Sequence, residues 1–226
     1  MNFLSHALPY LDRPRVAVAT GIPDWLSVID RKIRVRRRHV LPHVASHDRV
    51  VADVARGILA HIDDDRWFHG TEAFVQTNLD LAVQLRDRLP GDRGFRPMFL
   101  GHIVIEVILD SLWIDDTREH ADRYFDAIES IDTAAIENAL NQISPKPTDR
   151  LVQTIRRFAE AKFLFDYKDA GRLRFRMNQV MKRVGLAELP QSILPWFDET
   201  RKLVASRRER LLSPPPGSDT CFPPFG

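Results

Sequence analysis

The sequence predicts an all-α chain, a single helical bundle of roughly eight helices. Three observations carry that expectation. Apolar residues recur at helical spacing nearly everywhere along the chain. No segment alternates apolar and polar residues as a half-buried strand does. No internal repeat and no shift in composition marks a domain boundary, and the chain is 44% hydrophobic, enough for one sizeable core.

The elements follow in order. Ser46 is placed to cap a helix over 47–69, "HDRVVADVARGILAHIDDDRWFH". Gly70 and Thr71 break to a second helix over 72–89. "PGDRGFRP" reads as a loop by its Pro and Gly content, and Pro97 suits the first turn of the next helix. That helix carries "FLGHIVIEVILDSLW". Further helices are expected over 117–131, 133–143, 150–167 and 168–184, the last ending at Gly185. "SPKPTD" is a linker, and 190–212 forms the final helix. The domain is expected over 1–212, with a Pro/Gly-rich tail, extended or disordered, over 213–226.

Composition narrows the function classes. Lys and Arg number 33 against 31 Asp and Glu, so the chain as a whole is no polycation. One cysteine, Cys221, excludes an internal disulfide, and its Pro-rich setting makes it a poor nucleophile. The sequence has no run of about 18 apolar residues and no signal-peptide pattern, so a cytoplasmic location is expected, with no membrane partner. It has no P-loop and no G-x-S-x-G elbow.

Two polar ladders stand out. His102, Glu106 and Asp110 are four residues apart on a helix otherwise made of Leu, Ile, Val, Phe and Trp. Residues so spaced form one narrow line, drifting by about 40° per step. On a buried helix, such a line needs internal partners or a bound ion. His61, Asp65 and His69 repeat the spacing on the preceding long helix. Imidazole and carboxylate without Lys or Arg is a metal-binding set, suited to Mn, Fe or Zn more than to Ca. Two helices presenting such lines to each other build metal sites inside bundles. The bland alternative for each ladder is the solvent face of an amphipathic helix or a buried hydrogen-bond network.

The opening "MNFLSHALPYL" resembles the start of acyl carrier protein phosphodiesterases, relatives of the HD-type metal-dependent phosphohydrolases. "TGIPDW" approximates the next family segment through Asp24 and Trp25. Gly57, Ile58, His61 and Asp65 match a third, with His69 where the family has Asp. Glu106 and Asp110 match a fourth, and "FDYKDAGRLRFRMNQVMKRVG" a fifth, so the resemblance spans most of residues 1–190 in order. Ile62 replaces the family's Arg, Ser111 its second His, and the Gly-Asn pair before Asp24 is absent. The resemblance implies an HD-like fold and a divalent metal cofactor. It adds His6 and Asp24 to the metal ligands His61, Asp65, His102, Glu106 and Asp110, with Asp64 or His69 in proton transfer. It also implies hydrolysis of the phosphodiester between phosphopantetheine and a carrier-protein serine.

The run "RKIRVRRRHV" is either a solvated loop or, through Arg34, Arg36, Arg37 and Arg38, a site for phosphate or an acidic carrier protein. No aromatic residues interleave with these arginines, so nucleic acid is not expected. Hydrolysis of a small phosphoester or nucleotide, and a non-catalytic helical binding protein, are the alternative functions.

Overall fold

The computed structural model describes residues 1–89, 95–218 and 220–225. The chain is all-helical, 74% helix with no strands among the described residues. Twelve α-helices are described: α1 (Phe3–Ala7), α2 (Pro14–Ala19), α3 (Ile22–Ile29), α4 (Arg37–Val40), α5 (Arg49–Gly70), α6 (Glu72–Arg88), α7 (Pro97–Asp116), α8 (Glu119–Ser130), α9 (Thr133–Ile143), α10 (Leu151–Ala161), α11 (Ala170–Arg183) and α12 (Leu194–Leu211). Eight of these, α5 to α12, lie where periodicity predicts helices. The four additional ones precede residue 41 and are at most 8 residues long. Too few turns are present there for a 3.6-residue pattern to repeat, and α1 is buried on every residue, so it has no polar face to reveal it.

Local chemistry sets the boundaries. Asp48, not Ser46, caps α5, accepting from the amides of Val50 at 2.8 Å and Val51 at 3.3 Å. Ser46 instead accepts from the Asp48 amide. Thr71 caps α6 through the Phe74 amide at 3.2 Å. The helix expected over 150–167 is broken at Lys162, whose φ of +41° is left-handed, into α10 and a 3₁₀ turn over Phe163–Lys168. Gly185, at φ +71°, follows α11 as the sequence predicts. The loop expected around residues 90–97 falls largely on 90–94, outside the described residues.

Helix α7 is the spine. By length and mean hydropathy (1.6) it could cross a membrane, yet 61% of that window is buried inside the protein. It packs against α6, α12, α1 and α8, while α5 packs on α2 and α9. Gly57 permits the α5–α2 contact, because a Cβ there would stand 2.5 Å from the Val16 carbonyl oxygen and 2.6 Å from the Ala19 Cβ. The chain from α1 to α2 is thereby brought against α5, carrying His6 towards His61.

The tail beyond Leu212 has no helix among its described residues, but it is docked. Phe222 stacks on the buried Trp113 ring at 5.8 Å, Phe225 lies 5.2 Å from the same ring, and the Arg208 guanidinium sits between Trp113 and Phe225.

Candidate metal centre

The two ladders face each other, and α1 closes the space between them. Two groups of three metal-competent side chains result. In each, one ligand atom per residue lies within 4.8 Å of the other two.

The inner group joins His6 of α1 to His61 and Asp65 of α5. The two rings stack at 4.1 Å between centroids. His6 Nε2 lies 3.2 Å from Asp65 Oδ1, and His61 Nε2 3.5 Å from Asp65 Oδ2. The outer group joins His69 of α5 to His102 and Glu106 of α7. His69 Nε2 lies 2.7 Å and His102 Nε2 3.2 Å from Glu106 Oε1. The Met1 amino group spans the two, donating to Asp65 Oδ1 at 2.6 Å and to Glu106 Oε1 at 3.2 Å.

The electrostatics of this site favour positive charge. Burial opposes charge on the Met1 amine, but Glu106 and Asp65 raise it to about 11. Burial likewise opposes charge on His6, and hydrogen bonds to Asp64 and Asp65 raise it to about 9. His61 is pushed down to about 3, first by burial and then by the charge on His6. Burial works against ionised Asp65 and Glu106, yet the Met1 amine and the histidines hold both well below the usual carboxylate range. The chain thus balances two half-buried carboxylates with its own cations, in a place where a metal ion could do so.

A divalent ion fits the donors. His61 Nδ1 is buried without a hydrogen-bond partner among the described residues, and His6 Nε2 faces only the Asp65 carboxylate, at 3.2 Å. Orphaned imidazole nitrogens beside a carboxylate are the donor set of a transition metal rather than of Ca. His6 also has the outer partner that ligating histidines need. Its Nδ1 faces Asp64 Oδ2 at 3.5 Å, and Asp64 Oδ1 accepts from Trp67 Nε1 at 3.2 Å and from the Thr220 hydroxyl of the tail.

The remaining sequence candidates separate. Asp110 belongs to neither group: fully buried, it accepts from the amides of Leu4 (3.0 Å) and Ser5 (2.8 Å), the Ser5 hydroxyl (2.7 Å) and the Asn2 side chain (2.9 Å). Burial raises its pKa and these donors oppose the rise, so its carboxylate serves as an anchor for the start of α1. The reason is spatial, since each four-residue step turns the line further around α7. Asp64 points from the site towards the tail. His69, expected in proton transfer, lies in the outer group. Asp24 lines a cavity that also reaches Asn2 and Glu106. Burial, Asp65 and Glu106 raise it to about 7. Arg34 and Arg36 line the same cavity, whereas Arg37 pairs with Asp63 and Arg38 Nε points to His39 Nε2 at 3.1 Å.

Sequence reasoning did not find the Met1 amine, Asn2, Thr220, Arg96 or Arg183. None of them carries a periodic or motif signal in the sequence, and Thr220 lies in a tail that reads only as Pro/Gly-rich. Comparison with known protein families, with curated proteins and with solved structures returns no match for this chain.

Proposed function

We propose that the chain is a metal-dependent phosphoester hydrolase. One observation carries the reading: two groups of two imidazoles and one carboxylate, contributed by three helices, lie side by side and are bridged by the Met1 amine. His6, His61 and Asp65 would hold one divalent ion (Mn, Fe or Zn), and His69, His102 and Glu106 a second. Such an ion polarises a phosphoryl oxygen and lowers the pKa of bound water.

The chain's own residues supply the rest. Asp64 fixes the His6 ring so that Nε2 faces inward. Asp110 holds α1, and with it His6, against α7. Asp24, held protonated up to the neutral range, is positioned at the cavity wall to give or take a proton there. Phe99 and Ile103 give the cavity an apolar wall beside Glu106.

The resemblance to acyl carrier protein phosphodiesterases and their HD-like fold makes a phosphodiester of phosphopantetheine on an acidic carrier protein the first substrate to test, in the cytoplasm. A ligand-sized cavity of about 960 Å³ beside Glu106 favours a second reading, a small phosphoester.

The test is metal content and hydrolysis of a chromogenic phosphodiester with Mn²⁺, using untagged protein. His61→Ala is expected to lose inner-group metal and to cut hydrolysis on the order of 10³-fold, about 4 kcal/mol of barrier. Undiminished metal occupancy in both His61→Ala and His102→Ala would overturn the reading.

A further inference from the structure

The cavity beside Glu106 has two chemically distinct ends. Its inner end carries the half-buried Asn2, Asp24 and Glu106, and its exposed end carries five arginines: Arg31, Arg34, Arg36, Arg96 and Arg183. Apolar side chains such as Ile33, Val35, Phe99 and Val180 line the space between.

The arginines arrive from three parts of the chain. Arg31, Arg34 and Arg36 come from the irregular segment after α3, Arg96 from the N-cap of α7, and Arg183 from the last turn of α11. The segment after α3 is fastened, not loose. Arg31 Nη2 donates to the Arg183 carbonyl at 2.7 Å, Arg150 Nη1 donates to the Ile29 carbonyl at 3.1 Å, and Asp30 pairs with Lys146 at 2.7 Å. The last contact matters twice, because Asp30 is the carboxylate at this end and Lys146 already engages it. The side chains of Arg96 and Arg183 make no ion pair and no hydrogen bond among the described residues. Burial, and to a smaller extent Arg31, lower the Arg183 pKa, while Tyr167 and Asp24 raise it. Arg96, the N-cap of α7 before Pro97, adopts a left-handed φ of +47°.

Guanidinium groups that share one cavity wall, where the single carboxylate, Asp30, is already engaged by Lys146, repel one another, and a bound anion relieves that repulsion. A concave site with arginines from three segments matches the planar, bidentate recognition of phosphate. We propose that this exposed end is a second phosphate subsite. Arg96 and Arg183, with Arg31, Arg34 and Arg36, hold a phosphate of the substrate remote from its scissile bond. The substrate class is then a small bis-phosphorylated molecule with an apolar or neutral link between its two ends. This rests on the small-phosphoester reading of the metal centre.

The experiment compares hexyl phosphate with 1,6-hexanediol bisphosphate, titrated calorimetrically into the full chain with and without Mn²⁺. Mn²⁺-dependent binding of hexyl phosphate reports on the metal centre alone. The ratio of the two affinities reports on the subsite. We expect the bisphosphate to bind roughly tenfold more tightly, with an advantage that shrinks as salt rises. In the Arg96→Ala/Arg183→Ala double variant the advantage should fall to about threefold or less while hexyl phosphate binding is unchanged. The Gln double variant, with thermal unfolding as a check, guards against a folding defect. Equal affinities in the wild-type chain, or an advantage that survives both double variants, overturns the subsite even when hexyl phosphate binding needs Mn²⁺. Tighter binding of an acidic peptide than of the bisphosphate also overturns it, in favour of a protein partner.

Discussion

The inner and outer groups share a composition but not a construction. His6 and His61 have side-chain exposures of 0% and 7%, whereas His69 and His102 reach 27% and 36%. The outer group is built from two long helices, joined by the His69–Glu106 contact and by the packing of the His69 and His102 rings at 4.3 Å. The inner group needs α1 anchored by Asp110, α2 packed on Gly57, and a tail residue behind Asp64. The carboxylates run the other way, Asp65 at 32% and Glu106 at 14%, so what sets the inner group apart is its buried imidazoles and its assembly from remote pieces, which makes it easier to break from a distance. The comparison teaches that the same residue types at the same spacing leave the imidazoles part-exposed when only two long helices present them, and bury them when distant segments close over them.

Three perturbations act on this difference. The largest is Gly57→Ala. The added methyl meets backbone at 2.5 Å, so α2 must shift away from α5. A loss of about 2–3 kcal/mol is expected by urea denaturation, with inner-group metal weakened and outer-group metal spared. An unchanged urea midpoint would mean that the α5–α2 contact is looser than the geometry implies.

The next uses pH on the metal-free protein. Asp24 is raised from 3.8 to about 7, chiefly by burial, so between those values the folded state keeps a proton that the unfolded state has lost. Stability from this group therefore falls as pH rises through that window, by about 1–2 kcal/mol, because the carboxylate is only half-buried and solvent screens part of the effect. Asp24→Asn removes the fall. Compared with wild type in a chelator, the variant should gain stability between pH 4.5 and 7.5, read from urea midpoints at the two values. A constant difference across that range would show that Asp24 ionises normally.

The smallest effect is expected from Thr220→Val, which deletes the hydroxyl bonded to Asp64 while keeping shape. Inner-group metal affinity should drop about tenfold, in keeping with lost support behind a ligating histidine, and outer-group affinity should not move. Competition with a chromogenic chelator separates the two. A uniform loss at both groups would point to general destabilisation instead.

The eight long helices were legible because each repeats its apolar spacing over several turns and buries one side. The two ladders were legible for the same reason, since positions four apart on one helix share a face whatever surrounds them. Which members of a ladder meet was not legible. His102 and Glu106 turn towards α5, but Asp110, on the same line, turns to α1. The short helices α1 to α4 gave no periodic signal, and His6 and Asp24 were suggested by the resemblance alone. The tail read as extended or disordered because Pro and Gly dominate it. Phe222, Phe225 and Thr220 nevertheless anchor it through Trp113 and Asp64.

By itself the sequence determined the all-helical class, the positions of α5 to α12 and the imidazole–carboxylate spacing on α5 and α7. These depend on interactions within a few residues. Only the tertiary structure decided that His6, the Met1 amine and Thr220 join that chemistry, that Asp110 leaves it, and that arginines from three segments share one cavity end. Those pairings link positions up to 156 residues apart. Their free energy comes from burying whole helices against one another, which no local pattern encodes.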